Sequence, residues 1–269
     1  MSQEWSRREL LQAGLSAATT GGLSEAALAQ NGAAPLPTRV LGRTREQVPI
    51  LGFGTAPVGV KRTLKDAVAL FHRAIDLGVT YLDTAPELAG YGKAQEQLGH
   101  VVPDRRKEVF LVTKLWEPGM GDALKLLEKN LKELRVERVD LLYAHSIGSD
   151  KMDPDLVFGR AGTMAALRKA QQEGLTRFIG VSGHNRPARF LRALQEAEFD
   201  VMMNAVNLGD RYTYGFEEKV WPAAAKKNVG LVAMKVFGGM GGNQPLSTRT
   251  MPVEHVPLAF RYALSLPNV

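Results

Sequence analysis

Three polar residues suited to acid–base chemistry recur at equal spacing along the chain. Asp83, Lys114 and His145 are 31 residues apart in each step, and each ends a mainly apolar run. A carboxylate, an ammonium and an imidazole can position a proton donor and stabilise negative charge on an oxygen. Two lysines and a histidine, counting Lys235, make a poor set of metal ligands. The spacing therefore indicates proton transfer and predicts no metal site.

An alternation of strands and helices is expected to position these residues. Short apolar runs predict strands, and amphipathic stretches between them predict helices. Strands separated by single helices must be parallel, and near-continuous apolar strands favour a closed (β/α) barrel over an open doubly wound sheet. After a hairpin over 38–48, strands are predicted at 49–55, 80–83, 108–114, 139–145, 177–182, 201–207 and 230–235. Helices are predicted at 64–77, 93–102, 122–134, 161–173, 187–196 and 216–228, and one begins near residue 254.

A barrel brings the carboxyl ends of its strands to one face, where active sites are built. Each of six predicted strands ends in a polar residue, so these residues are expected to form one functional cluster. They are Asp83, Lys114, His145, Ser182, Asn207 and Lys235.

The chemistry of such a cluster depends on a tyrosine. A lysine beside an aspartate is held charged, and a charged lysine near a tyrosine is expected to lower the tyrosine pKa. That tyrosine can protonate an oxygen that gains negative charge, while His145 orients the carbonyl or shares the donor role. This indicates carbonyl reduction, and the hydride must come from a nicotinamide because side chains cannot supply one.

The glycine-rich segment 52–59 begins like a dinucleotide fingerprint. Pro57 stands at the third glycine position, and the next predicted helix, from residue 64, starts too late to cap a pyrophosphate. We therefore expect no Rossmann domain. Gly52 and Gly54 either admit a flat ligand close to the backbone or make a tight turn.

Several motifs in order resemble the aldo-keto reductase family over residues 38–269. They are Leu51–Thr55, Tyr81–Ala85, Tyr91-Gly92 with Leu98-Gly99, Val112–Lys114, Val139–His145, Arg177–Ser182 and Ala233–Lys235. The resemblance implies a (β/α)8 barrel, NADP(H) as cofactor with NAD(H) as the alternative, and reduction of an aldehyde or ketone. It implies a catalytic tetrad of Asp83, Tyr91, Lys114 and His145. The cofactor-binding residues that we predict are Gly54, Thr55, Asp83, Ser182, Asn207, Lys235, Phe237 and Gly238.

The sequence departs from the family pattern at several positions. The family tyrosine usually stands where this chain has Leu88, so Tyr91 comes later, in a longer loop. Gly183 and Met203 replace residues that often hold the carboxamide. Tyr81 alternates with Asp83 on one strand face and is predicted to pack in the interior. His184, beyond Ser182, is a candidate to face the substrate.

Length and composition limit the class of protein. The 269 residues are 45% hydrophobic and 23% charged, which fits one large α/β domain. The absence of cysteine excludes disulfide scaffolds and thiol catalysis. No apolar run is long enough for a membrane span. The net charge of +6 is dispersed and does not indicate a nucleic-acid partner. The oligomeric state is left open.

The two ends of the chain lead to two separate predictions, one about export and one about the eighth βα unit. Arg7 and Arg8, a weakly apolar stretch and Ala27-Leu28-Ala29 resemble a twin-arginine signal peptide over 1–29, which predicts export to the periplasm by the twin-arginine machinery. Residues 30–37 are predicted to be a linker and 38–269 the barrel domain. An eighth strand and helix are expected to follow residue 269, so the barrel is predicted to lack its eighth βα unit.

Three functions remain open at this point. The first is a nicotinamide-dependent carbonyl reductase. The second is a nicotinamide-binding barrel without turnover, acting as a sensor or partner subunit, which the displaced Tyr91 would allow. The third is a lyase that uses Lys114 as a Schiff base.

Overall fold

The computed structural model describes residues 35–207, 210–238, 252–266 and 269. The predicted signal peptide, residues 1–29, and residues 30–34 of the predicted linker lie outside this described part. Within the described ranges, no helix combines the length and apolar character needed to cross a membrane.

The strands form two sheets. An antiparallel hairpin joins β1 (Thr38–Val40) to β2 (Gln47–Pro49). The larger sheet is parallel, and its strands pair in strict sequence order. These strands are β3 (Gly52–Gly54), β4 (Tyr81–Asp83), β5 (Phe110–Leu115), β6 (Val139–Ala144), β7 (Thr176–Gly183), β8 (Val201–Ala205) and β9 (Gly230–Met234). The described residues thus supply seven of the eight strands of a (β/α)8 barrel, which confirms the predicted fold class.

Helices follow the strands and cover the outer face of the sheet. Their apolar faces pack on the outward-facing residues of the strands, as in the edge-to-face contact of Phe53 on β3 with Phe71, whose ring centroids are 5.8 Å apart. The helices between β3 and β6 are α1 (Ala56–Lys61), α2 (Leu64–Asp76), α3 (Ala94–Leu98), α4 (Val102–Arg105) and α5 (Met120–Leu134). Those that follow are α6 (Pro154–Phe158), α7 (Thr163–Gln172), α8 (Pro187–Glu196), α9 (Phe216–Lys219), α10 (Trp221–Lys226) and α11 (Val256–Ser265).

One sequence-based expectation about these helices is wrong. Helix α1 begins at Ala56, directly after β3, whereas the sequence predicts no helix before residue 64. Pro57 lies in the first turn of α1, where its fixed φ suits a helix and its missing N–H is not needed. A helix therefore does begin directly after the glycines at the end of β3. The exclusion of a Rossmann domain now rests on the strand order, which runs around the sheet without the reversal that such a domain requires.

Alternation along the strands separates an outer core from an inner core. Residues i and i+2 of a strand share a face, so Tyr81, Phe110, Val112, Leu141 and Tyr143 point inward and pack together. Tyr81 and Phe110 stack with ring centroids 5.3 Å apart. The structure therefore places Tyr81 in interior packing, as the alternation predicts.

The β1–β2 hairpin closes the amino-terminal end of the barrel. Leu41 and Val48 from this hairpin join the inner core. The turn at Gly42 lies against the start of β9, where a Cβ on Gly42 would come within 2.2 Å of the Gly230 nitrogen. Gly42 has φ +50, so glycine meets both the conformational and the steric demand. We call this hairpin the floor, and the carboxyl ends of β3–β9 the rim.

Candidate active site

The rim gathers the polar residues that end the strands. Asp83 is the last residue of β4, Lys114 lies near the end of β5, and His145 follows β6 directly. Ser182 lies near the end of β7, and Asn207 and Lys235 come just after β8 and β9. Since parallel strands end at the same side of a sheet, all six lie at the rim.

Lys114 is the centre of this arrangement. Its Nζ donates to both carboxylate oxygens of Asp83, at 2.6 and 2.7 Å, and to the Thr84 carbonyl oxygen at 2.9 Å. The Lys114 side chain is 1% exposed. These three oxygens are already more acceptors than the two protons of a neutral amine could satisfy. The geometry therefore favours the charged lysine paired with the Asp83 carboxylate.

Tyr91 completes a compact group with these two residues. Its hydroxyl lies 3.2 Å from Lys114 Nζ and donates to an Asp83 carboxylate oxygen at 3.4 Å. Lys114 Nζ is also 4.8 Å from the centroid of the Tyr91 ring. A phenol, an ammonium and a carboxylate thus share one site, although Tyr91 is displaced along the sequence relative to the family pattern.

The loop that carries Tyr91 is held by a close backbone contact with α1. A Cβ on Gly59 would lie 2.1 Å from the Tyr91 carbonyl oxygen, so only glycine fits there without moving the loop. Lys93 donates its backbone N–H to the Gly59 carbonyl at 3.2 Å. Gly92 has φ +53, in the region that glycine adopts readily. Gly59 and Gly92 therefore fix the position of Tyr91, and the sequence pattern did not assign them this part.

The pKa of Tyr91 shifts opposite to the sequence-based expectation. Burial raises the Tyr91 pKa well above its ordinary value, and the negative charge of Asp83 raises it further. Lys114 was expected to lower this pKa, but the paired Asp83 carboxylate offsets the positive charge. The Tyr91 hydroxyl is therefore protonated at neutral pH. Burial also lowers the pKa of Lys114, an effect that the Asp83 charge opposes.

His145 lies beside this group without a hydrogen bond to it among the described residues. Its ring is perpendicular to that of Tyr91, with centroids 6.3 Å apart, and it meets Trp116 in a similar way. His145 Nδ1 is 3.0 Å from Ser182 Oγ. Burial lowers the pKa of His145 well below its ordinary value, and the charges of Lys114 and nearby residues add to this. The imidazole is consequently neutral at neutral pH.

Two buried amide side chains on the outer face of β5 hold the backbone at Lys114 by hydrogen bonds. Asn130 on α5 donates to the Lys114 carbonyl oxygen at 3.0 Å. Gln95 on α3 donates to the Asn130 side-chain oxygen, also at 3.0 Å. Both amides are buried. Sequence reasoning missed these residues, and the available signal was an amide within the apolar face of each helix.

The predicted cofactor residues on β3 and β4 surround an open space. A Cβ on Gly54 would meet nothing within 4 Å among the described atoms. Thr55 is buried and donates its hydroxyl to the Asp83 carbonyl oxygen at 3.1 Å. Thr55 therefore stabilises the end of β4 while Gly54 leaves room beside it.

The predicted cofactor residues after β8 and β9 lie on the other side of the rim. Asn207 donates its amide to the Lys235 carbonyl oxygen at 3.4 Å, and Lys235 has φ +58. The Phe237 ring stacks on Phe260, with centroids 6.0 Å apart. Gly238 closes a turn by donating its N–H to the Lys235 carbonyl. The predicted residues that end the strands or directly follow them thus lie at the rim, whereas Phe237 and Gly238 lie in the turn after β9. Across the described ranges, no group of His, Asp and Glu side chains is arranged to hold a metal ion.

Comparison with known proteins decides the family. The aldo/keto reductase family model matches residues 50–257. The chain belongs to the aldo/keto reductase family. A D-threo-aldose 1-dehydrogenase from a Pseudomonas species is 30% identical over 227 residues, which cover 71% of this chain and 66% of that enzyme. The matched part of this aldo/keto reductase thus spans just under two thirds of that relative's length.

Solved structures of aldo-keto reductases have the same fold. A Pseudomonas aeruginosa protein assigned to the aldo-keto reductases has a TM-score of 0.68 at 26% identity, and the match covers 86% of each chain. An aldo-keto reductase from Klebsiella pneumoniae in complex with NADPH has a TM-score of 0.63 at 25% identity. That match covers 76% of this chain and 69% of the Klebsiella chain.

Proposed function

We propose that this chain is an NADP(H)-dependent oxidoreductase that reduces an aldehyde or ketone to an alcohol. The observation that carries the proposal is the buried Lys114 ammonium, which contacts both the Asp83 carboxylate and the Tyr91 hydroxyl. Family membership supports the same reaction class, and the NADPH complex of the Klebsiella relative supports the cofactor. NAD(H) is the alternative cofactor.

Tyr91 is the proton donor in this proposal. Its raised pKa keeps the hydroxyl protonated until a substrate oxygen beside it becomes strongly basic. When the carbonyl carbon gains a hydride, the oxygen gains an electron pair and takes the Tyr91 proton, which gives the neutral alcohol. The phenolate left on Tyr91 is stabilised by Lys114 Nζ at 3.2 Å and is reprotonated from solvent.

Asp83 and Lys114 set the charge around that proton transfer. Asp83 holds the ammonium in place through two short hydrogen bonds. A fixed positive charge in a buried site costs no reorganisation at the moment when the phenolate forms. Neutral His145 can donate a hydrogen bond to the carbonyl oxygen and orient the substrate.

The residues of the rim fit a nicotinamide cofactor. A reduced nicotinamide, when bound, supplies the hydride. The open space beside Gly54 admits a flat ring, and Ser182 and Asn207 offer polar groups for an amide. Lys235 places a cation where the turn to Gly238 begins, which suits a diphosphate. The indole Nε1 of Trp116 is buried, lacks a hydrogen-bond partner among the described residues, and belongs to the ring beside His145. A shift of this ring that exposes Nε1 would give a polar substrate a hydrogen-bond donor, and the Pseudomonas relative makes aldoses the first substrates to test.

The two other functions have less support. A Schiff-base lyase needs a neutral Lys114, whereas three acceptor oxygens surround its Nζ. A sensor without turnover would not require a tyrosine within 3.2 Å of that ammonium. Trapping of a carbonyl compound on Lys114 by borohydride would support the lyase instead, and cofactor binding without turnover would support the sensor.

Export to the periplasm remains part of the proposal. Arg7 and Arg8, followed by a weakly apolar stretch and a small-residue cleavage pattern, support a twin-arginine signal. Fractionation of cells that express the full chain, with Arg7 and Arg8 replaced by lysine as the control, tests it. Retention of both forms in the cytoplasm would contradict export.

Replacement Tyr91→Phe tests the reaction. We expect turnover to fall by about 10²-fold or more, the scale of a lost general acid, because the ring packs as before but has no proton to give. The measurement is the oxidation of NADPH by a panel of aldehydes, aldoses included, with thermal unfolding to show that both proteins are folded. Unchanged turnover in the variant would contradict the assignment of Tyr91.

A further inference from the structure

Ser182 contacts the imidazole of His145 where both residues are buried. The distance between Ser182 Oγ and His145 Nδ1 is 3.0 Å. Ser182 is fully buried and His145 nearly so. The resemblance to the family assigned Ser182 to the nicotinamide carboxamide, so this contact with the histidine is a separate observation.

The hydrogen bonds around Ser182 Oγ determine which group donates to which. A hydroxyl has one proton to donate and two sites that accept. The Ser146 backbone N–H can only donate, and it contacts Ser182 Oγ at 3.4 Å. The remaining described partner of Ser182 Oγ is His145 Nδ1. If His145 Nδ1 carried the proton, the Ser182 hydroxyl proton would have no acceptor among the described residues, which is costly in a buried place.

The backbone after His145 is shaped to make these contacts. Ser146 has φ +51, a left-handed conformation that is unusual for a residue other than glycine. Ile147 donates its backbone N–H to the Ser182 carbonyl oxygen at 3.0 Å. His145 itself donates its N–H to the Leu115 carbonyl at 2.8 Å. A strained residue persists where its surroundings fix it, and here two N–H groups of one turn bind Ser182.

The surroundings of His145 keep its ring neutral. A neutral ring carries its proton on only one of the two nitrogens, Nδ1 or Nε2. The ring lies beside Tyr91 and Trp116. The charged or titratable groups that act on it are Lys114, His184 and Lys235, and together with burial they disfavour the imidazolium. A neutral imidazole has one nitrogen that donates and one that accepts.

We propose that Ser182 is a positioning residue that fixes the tautomer of His145, with its hydroxyl donating to Nδ1 so that the proton resides on Nε2. The Nε2–H group is then available as a donor to the substrate oxygen. That last step rests on the proposed function, whereas the tautomer itself does not.

Nitrogen NMR of the full chain, labelled with ¹⁵N-histidine and without substrate or cofactor, tests the proposal. His145→Asn identifies the His145 signals among those of the five histidines. In the wild-type protein at neutral pH we expect the proton on Nε2. In Ser182→Ala we expect the ratio of the Nε2–H to the Nδ1–H form to fall by about fivefold, the scale of one lost hydrogen bond. Ser182→Thr keeps a hydroxyl and is expected to restore the ratio.

Two results would overturn the proposal. One is a wild-type His145 with its proton on Nδ1, which needs no variant and is informative even if Ser182→Ala fails to fold. The other is an unchanged tautomer ratio in a folded Ser182→Ala protein. Neither result depends on turnover, so a failure of the Tyr91→Phe test would count against the proposed reaction and leave this assignment standing.

Discussion

Among the residues that the structure describes, the barrel contains two buried aspartates in ion pairs, one at each end. Asp83 at the rim is 8% exposed and pairs with Lys114, whose side chain is 1% exposed. Asp140, near the start of β6, is 5% exposed and pairs with Arg106 at 2.8 Å and Arg177 at 3.1 Å. Those two arginine side chains are 24% and 38% exposed. The carboxylates are alike in burial, and the cations differ in type and in access to water.

The partners of the two carboxylates explain the difference. Asp140 also accepts the Leu111 backbone N–H at 2.8 Å, and Arg177 binds Glu46 on the floor. Asp140 therefore joins β5, β6, β7 and the hairpin, in part through two arginines. Asp83 instead holds a lysine, whose pKa responds to burial, beside a phenol. The ion pairs of Asp140, which we call the lower pair, connect elements of the fold. In the proposed reaction the pair of Asp83 and Lys114, the upper pair, supplies the charge that stabilises the Tyr91 phenolate, as expected for the two ends of such a barrel.

The strongest test of this contrast replaces one cation from each pair by methionine. Lys114→Met removes the charge that stabilises the Tyr91 phenolate, and we expect turnover to fall by about 10²- to 10³-fold. Arg106→Met, the matched control at the lower pair, should leave turnover within about twofold. NADPH oxidation kinetics measure both, with circular dichroism to verify folding. Equal losses of turnover in the two variants would remove the functional distinction.

A smaller loss is expected from Gly59→Ala. The added methyl group would collide with the Tyr91 carbonyl and move the loop, while Asp83 and Lys114 stay in place. A displacement of about 1 Å at a reacting group can cost up to about 10²-fold, so we expect turnover to fall by about 10- to 10²-fold. Gly54→Ala places its methyl group in open space and serves as the steric control for protein stability. Normal turnover in Gly59→Ala would show that the glycine contact does not position Tyr91.

The lower pair should contribute to the free energy of unfolding. Asp140→Asn keeps a similar shape but loses the charge that both arginines bind. We expect the free energy of unfolding to drop by about 1–3 kcal/mol, since charged hydrogen bonds are lost but the arginines remain partly hydrated. Turnover at a temperature where the variant is folded should be close to that of the wild type. Urea unfolding gives the stability, and a variant as stable as the wild type would refute the connecting role.

The smallest predicted effect is on the pH dependence of stability. It again distinguishes the rim of the barrel from the end that carries the lower pair. Burial and the charges of Lys235 and Lys114 lower the pKa of His184 from 6.5 to about 4. Between these values the unfolded chain binds more protons than the folded one, so stability falls as pH drops from about 6.5 to about 4. In the lower pair, burial is outweighed by hydrogen bonds to Glu46 and Asp140, which raise the pKa of Arg177, so this arginine adds no such slope. His184→Gln should therefore lose less stability between pH 7 and pH 4.5.

Urea unfolding at the two pH values measures this difference. His100→Gln, at an exposed position, is the control and should retain the wild-type slope. An identical slope in His184→Gln and in the wild type would show that His184 does not titrate in this way.

Much of the architecture was predictable, because it follows from local patterns. Apolar strands that end in a polar residue every 31 residues placed Asp83, Lys114 and His145 on one rim, and the outline of α8 matched the helix predicted for 187–196. Helix α1 was not predicted, because Pro57 and Gly59 lower the helix propensity of this segment. The packing of Gly59 on Tyr91 and the contact of Ser182 with His145 join distant segments, so no local pattern reveals them. The direction of the Tyr91 pKa shift depends on the burial of its hydroxyl, and the spacing of residues along the sequence does not show how deeply a side chain is buried.

The floor of the barrel has a consequence for how the two edges of the described parallel sheet are held. Leu41 and Val48 pack into the inner core, and the turn at Gly42 lies against Gly230 at the start of β9. The same hairpin leads directly into β3. A short segment that comes before the first strand of the sheet in the chain therefore also braces its last described strand, although β3–β8 lie between the two in sequence.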